Sequence, residues 1–229
     1  MENLNRIVRG SIISLIFYTL LNLGGLSSME QESLIKLTQP VYDSSVSLEE
    51  SILKRRSIRR YKDEPLTINE VSQLMWAAQG ITDSRGLRTA PSAGALYPLE
   101  IYVVVGNVDG LSPGIYKYKP QEHELLLIKE GDNRGNLSNA ALGQGTVENG
   151  AIAIVISAVY ERTTSKYGDR GIRYVHMEVG HVGQNISLQA VSLGLGTVVI
   201  GAFYDNEVKR IIEMPEEESP LYIMPVGRI

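Results

Sequence analysis

The segment from Arg173 to Leu193 restricts the fold more than any other. Its apolar residues Val175, Val179, Val182, Ile186, Ala190 and Leu193 recur at steps of four, three, four, four and three. That spacing predicts one amphipathic helix, roughly 30 Å long at 1.5 Å per residue, with a single apolar stripe. A helix of that length needs a wide core to cover it. The chain has 229 residues, 43% of them hydrophobic, enough for one such core in one domain or at most two. Gly180 and Gly183 interrupt the helix at a propensity cost of about 1 kcal/mol each, tolerable where another helix approaches closely. Gly194 and Gly196 end it.

The other elements follow from capping and alternation. Ser47 with Glu50, and Thr67 with Glu70, form S/T-x-x-E capping boxes. The second opens a helix over 68–79, with Val71, Leu74, Met75 and Ala78 on one face. Strands are expected at 100–105, 151–158, 197–202 and 221–226, and a hairpin at 114–118 and 124–128. Short helices are expected at 136–142 and after a cap at Asp205. Strands and helices intermingle without strict alternation, which favours an α+β fold over a doubly wound sheet. Residues 29–46 read as an extended lead-in, and the folded domain as 47–229.

Residues 1–28 stand apart. Arg6 and Arg9 precede an apolar run from Ile12 to Leu23, then Gly24, Gly25, Ser27 and Ser28. A signal peptide, a terminal amphipathic helix and a start of translation at Met29 all remain open. Localisation divides accordingly: cytoplasmic for a start at Met29, exported or membrane-associated if 7–27 acts as a signal or anchor.

Composition removes several chemistries. Without cysteine there is no disulfide, thiol nucleophile or iron–sulfur cluster. The net charge of −4 disfavours a globally basic nucleic-acid binder. His176 and His181 are five residues apart, roughly 140° around a helix, so they do not converge on a metal.

Against that acidic background, six of the nine residues 54–62 are cationic: Lys54, Arg55, Arg56, Arg59, Arg60 and Lys62. Guanidinium groups with a neighbouring hydroxyl, Ser57, suit a phosphate. A solvated basic helix end is the plainer alternative. The loop from Thr89 to Pro98 sets small residues between prolines, so its backbone can approach a flat ligand. Gly194-Leu195-Gly196 runs from helix to strand, the wrong order for a dinucleotide fingerprint.

Four blocks in order, R-R-S-x-R, P-S-A-G-A-L-Y-P-L-E, G-L-G-T-V-V-I-G-A-F and P-V-G-R, resemble the nitroreductase superfamily, nearest to its SagB/ThcOx-type dehydrogenase branch. The likeness covers residues 47–229. It implies a central, mostly antiparallel sheet flanked by helices, in an intertwined homodimer with flavin mononucleotide (FMN) at the interface. On this likeness Arg55, Arg56, Ser57 and Arg59 hold the phosphate and ribityl chain, and Arg228 adds to the phosphate site. Pro91, Ser92, Ala93 and Gly94 line the flavin from the second subunit, and Ile200 and Gly201 border its rings. The long helix would lie at the dimer centre. Lys166-Tyr167 matches the Lys-Tyr pair of the azoline dehydrogenases; a lysine with its pKa lowered by burial would accept a proton and the tyrosine relay it.

The implied function is hydride transfer through flavin N5, as an NAD(P)H-dependent reductase or a SagB-type dehydrogenase acting on a small molecule or peptide. A flavin-binding accessory module of a peptide-modifying assembly is the alternative. Arg55 and Lys62 are candidate donors to the reduced ring. No metal and no nucleic acid are expected, and membrane contact only if residues 1–28 are retained.

Overall fold

A computed structural model describes residues 33–229. The expectations for residues 1–28 fall outside the described residues. Seven strands form one sheet: β1 (Leu34–Lys36), β6 (Glu124–Glu130), β5 (Gly114–Lys119), β3 (Leu99–Val105), β7 (Ile152–Val159), β9 (Glu218–Arg228) and β8 (Leu195–Thr197), in that spatial order. Every neighbouring pair in it is antiparallel. β2 (Leu66–Thr67) and β4 (Val108–Asp109) make a separate parallel pair. The lead-in supplies edge strand β1, whose Ile35 lies opposite Leu125.

Alternation along the central strands divides the core in two. Ile101, Val103 and Val105 of β3, with Ile152, Ile154 and Ile156 of β7, face one side. There they meet Val71, Leu74, Met75 and Ala78 of α2 (Ile68–Gln79) and the stripe of α6 (Arg170–Ser192). Tyr102, Val104, Ala153 and Val155 face the other side, against α3 (Arg134–Ala140), α4 (Thr146–Asn149) and α7 (Asp205–Ile212). Helices thus cover both faces of an antiparallel sheet, an α+β sandwich. The remaining helices are α1 (Leu48–Lys54) and α5 (Glu161–Tyr167). Among the described residues no helix is long and apolar enough to cross a membrane.

The long helix matches its spacing: Val175, Val179, Val182, Ile186 and Ala190 are buried, and Leu193 packs beside them. Its glycines have a different setting from the expected close helix contact. A Cβ at Gly180 would meet nothing within 4 Å, and one at Gly183 would lie in ordinary contact with the Tyr222 ring at 3.5 Å. The Thr67–Glu70 capping box closes in both directions, whereas Ser47 only accepts from the Glu50 amide and Glu50 turns to Lys54. Asp205 is the first helical residue after the cap position Tyr204, one place later than expected.

The strand expected at 197–202 is the clearest difference. β8 ends at Thr197, and pairing resumes only at Ile200, opposite Ile223. Continuing the register from Thr197–Val226 places Val198 opposite Pro225. Proline has no N–H to give the ladder. Its carbonyl instead accepts from the Thr197 hydroxyl at 2.8 Å.

A buried ionic chain ties the sheet to α5. Glu218 is 2% exposed and accepts from Tyr102 Oη at 3.0 Å, Ser157 Oγ at 2.6 Å and Lys117 Nζ at 2.7 Å. Lys117 also pairs with Glu100 at 3.2 Å, and Arg162 of α5 reaches Glu100 at 2.5 Å. Burial, reinforced by Glu218, raises the Tyr102 hydroxyl's pKa, so it stays a donor. Removing the cation leaves a buried carboxylate uncompensated. Lys117→Met should therefore lower the unfolding free energy by about 3 kcal/mol in urea titration. A loss under about 1 kcal/mol would mean that Tyr102 and Ser157 suffice as partners.

Candidate active site

The basic segment is laid across the end of the sheet. Ile58 N–H donates to the Thr197 carbonyl at 2.9 Å, and Lys62 N–H to the Arg228 carbonyl at 3.0 Å. Two glycines permit this crossing. A Cβ at Gly196 would fall 2.7 Å from Ile58 and 2.5 Å from Ile229, and one at Gly227 would fall 2.7 Å from Tyr61. Tyr61 lies under the strap and donates to the Ile58 carbonyl at 2.8 Å; burial pushes its pKa up to about 12.

The cations along the strap differ in what they hold. Arg56 turns back onto the carbonyls of Leu53 and Arg55, at 3.0 and 2.7 Å, closing the end of α1. Arg228 is engaged within the chain: it bonds both Glu70 carboxylate oxygens, at 2.6 and 2.9 Å, and the Pro65 carbonyl at 3.2 Å. Lys62 Nζ donates to the Ile229 carbonyl at 2.7 Å, so one of the expected ring donors is already occupied. No ion pair among the described residues takes Arg55, Arg59 or Arg60. Ser57 and Arg59 are exposed and Arg55 half-buried. Beside them opens a cavity of about 240 Å³, lined by Lys54, Arg56, Ile58, Ser187, Thr197 and Ile229 among others.

A second group forms around the loop 91–97. Three of its residues have left-handed backbone: Gly94 at φ +65°, Ala95 at +53° and Tyr97 at +45°. Local bonds hold that conformation. Tyr97 N–H donates to Ser92 Oγ at 2.9 Å and Ala95 N–H to the Ser92 carbonyl at 3.1 Å. Arg88 lies 4.5 Å over the Tyr97 ring, and Arg162 donates to the Tyr97 carbonyl at 3.0 Å. The ionic chain from Glu218 therefore ends on this loop.

Lys166 and Tyr167 belong to the same group. A Cβ at Gly94 would stand 2.8 Å from Tyr167 Oη and 3.0 Å from Lys166 Nζ. Two sequence blocks more than 70 residues apart thus meet at one glycine. Tyr167 is fixed edge-on by Tyr174, with ring centroids 5.2 Å apart. Lys166 is exposed, so this chain alone does not supply the burial invoked for a lysine base. Ile200 is 5% exposed and exchanges two 2.9 Å backbone bonds with Ile223, while Gly201 is exposed beside it.

Glu178 is the residue that the sequence reading passed over. It sits beside Val179 on the buried face of α6, only 2% exposed. Burial pushes its carboxyl up to about 7, while Ser92, Arg88 and Gln79 hold it back. A charged residue three places after Val175 and one before Val179, inside an apolar stripe, was the available signal. His176 makes a 2.6 Å contact with Tyr160 Oη, and the described residues contain no group of three acidic or histidine side chains placed to hold a metal.

The family model described as "Nitroreductase family" matches residues 52–228. A protein of Methanocaldococcus jannaschii, named as a nitroreductase, is 54% identical over 80% of this chain and 91% of its own length. The microcin B17-processing protein of Escherichia coli is 27% identical over 72% of this chain, which spans 63% of that protein. The FMN reductase (NAD(P)H) of Bacillus subtilis is 25% identical over 77% of this chain and 64% of its own length. Among solved structures, a nitroreductase of Ralstonia eutropha superposes with a TM-score of 0.76 at 29% identity, covering 87% of this chain and 90% of the other.

Gly94 is where the two sequence blocks meet, so its substitution tests the arrangement. Gly94→Ala must strain a left-handed backbone and displace Tyr167 Oη or Lys166 Nζ. We expect a loss of about 1–2 kcal/mol in thermal or urea unfolding. Gly180→Ala, in open space on α6, should instead be neutral or slightly stabilising. Equal effects at both positions would count against a tight contact at Gly94.

Proposed function

Since this chain belongs to the nitroreductase family over residues 52–228, and is a flavin oxidoreductase of that kind, we propose that it binds FMN between two copies and acts as a SagB-type dehydrogenase. Arg55, Arg56, Ser57 and Arg59 take the phosphate and ribityl chain of one flavin. The loop Pro91-Ser92-Ala93-Gly94 of the second copy lies along its rings, and Ile200 and Gly201 border them. The residues fit such a group in two respects. Exposed guanidinium groups without internal ion pairs suit a dianionic phosphate, and the left-handed, side-chain-free Gly94 suits a flat ring. Arg228, held by Glu70, braces the strap from behind and meets the phosphate only through whatever donor capacity Glu70 leaves free.

When bound, the flavin accepts a hydride at N5 and passes electrons to a second substrate. The chain's own residues handle charge and protons. Arg55 and Arg59 neutralise the phosphate. Tyr167 Oη and Lys166 Nζ converge on Gly94 and receive the proton that the substrate gives up. Cover for Lys166 then comes from the substrate or the second copy. The convergence on Gly94 is the observation that carries this reading, because it sets the Lys-Tyr pair against the ring-lining loop. The likeness to the microcin B17-processing protein supports a peptide as substrate. A second reading, an NAD(P)H-dependent reductase, is favoured by the likeness to the FMN reductase.

The purified protein should carry an oxidised flavin spectrum, with bands near roughly 375 and 450 nm. Anaerobic bleaching by an azoline-containing peptide would support the dehydrogenase, and bleaching by NADH or NADPH the reductase. Bleaching by none would leave a flavin-binding accessory module. Arg59→Ala should weaken FMN by roughly 10- to 100-fold, the loss of one charge-assisted hydrogen bond. Lys166→Ala should retain FMN and lose turnover. Undiminished FMN affinity in the first variant, or unchanged kinetics in the second, would remove that residue from the site.

A further inference from the structure

Six buried side-chain polar atoms lack a hydrogen-bond partner among the described residues. Three of them, Gln79 Nε2, Arg88 Nε and Glu178 Oε1, belong to residues that face one another behind the loop 91–97. Arg88 Nη1 donates to Gln79 Oε1 at 3.0 Å, yet neither side chain closes onto Glu178 Oε1. In a packed interior such orphans need an explanation.

Ser92 supplies it. Its Oγ already accepts the Tyr97 N–H, and its hydroxyl faces the Glu178 carboxyl. A hydroxyl has one proton to give and two lone pairs to offer. With Glu178 ionised, that proton is drawn inward to the carboxylate, and Ser92 turns only a lone pair toward the groove beside Gly94. With Glu178 protonated, the carboxyl donates to Ser92 and the Ser92 proton is released outward. We propose that Glu178 is a positioning residue that sets the direction of the Ser92 hydroxyl, so that one buried carboxyl decides whether the loop offers the ligand a donor or only an acceptor.

The setting allows Glu178 to change state under working conditions. α2 presents the neutral Gln79, the segment after it presents Arg88, and the loop presents Ser92. Beyond Arg88 stand Tyr97, Glu100 and Arg162, with Glu100 engaged by Arg162 and Lys117. One cation against desolvation leaves the carboxyl near neutrality, where the chain's paired carboxylates are fully ionised. Because a reduced flavin gains negative charge and favours donors, a protonated Glu178 would stabilise it. This last consequence rests on the FMN reading; the Ser92–Glu178 coupling does not.

Two measurements test the proposal separately. Carbon-13 NMR of glutamate-labelled protein, assigned with Glu178→Gln, should show Glu178 titrating near neutral pH. In Ser92→Ala the midpoint should rise by about half a pH unit or more, since the carboxylate loses a donor. A midpoint unmoved by Ser92→Ala overturns the coupling. Next, the flavin midpoint potential is followed from about pH 5.5 to 8.5 by dithionite titration. Wild type should show an inflection near the Glu178 midpoint, and Glu178→Gln and Ser92→Ala should both lack it. An inflection that survives in both variants overturns the link to the flavin. Loss of the NMR coupling in protein that holds FMN sinks this inference alone. An intact coupling in protein that takes up no FMN sinks the flavin reading instead.

Discussion

The backbone crossing at the end of the sheet sets the terms for everything near it. The bonds from Ile58 to Thr197 and from Lys62 to Arg228 pin a run of cations onto the last strands. Like charges this dense would repel one another if the segment were free, and their side chains would sample many directions. Fixed at two backbone points, they are presented along one line. The fixation depends on absent atoms: with any side chain at Gly196 or Gly227, Ile58 or Tyr61 would lose its place. Glu70 completes the arrangement. It caps α2 from within and holds Arg228 at the same time, so one carboxylate joins the start of a helix to the end of the sheet.

Two buried glutamates show how the same side chain serves opposite ends. Glu218 and Glu178 are each 2% exposed. Glu218 has a lysine and two hydroxyls at hydrogen-bond distance, and it anchors a chain of charges reaching Arg162 and the loop carbonyl of Tyr97. Glu178 has a more distant arginine and an oxygen with no partner. A satisfied charge in a low-dielectric interior fixes geometry, whereas an unsatisfied one stays poised between protonation states. Both act on the loop 91–97, the first by holding it rigid and the second by facing the hydroxyl of Ser92.

That loop also gathers the strain of the chain. Ala95 and Tyr97 adopt backbone angles that residues with a Cβ rarely take, at a cost of order 1 kcal/mol each. The compensation is visible in the partners of Tyr97, whose N–H, carbonyl, hydroxyl and ring face are all engaged. A loop so constrained can hold a flat ligand without first being ordered by it, which lowers the entropic cost of binding.

What the amino-acid order determined by itself is everything local. The spacing of Val175 to Ala190 established the long helix, Thr67 with Glu70 its neighbour's first turn, and the apolar runs the central strands. The family likeness was legible too, because its blocks are contiguous stretches of residues. The break after Thr197 was not, since it arises from Pro225 on the facing strand and only pairing makes the missing N–H matter. Nor could the sequence bring Gly94 to Lys166 and Tyr167, couple Arg228 to Glu70, or set Glu178 behind Ser92. Those relations join residues from about 70 to about 160 positions apart. They depend on the packing of a helix layer against a sheet, and periodicity reports which face of an element is buried without reporting what it will meet there.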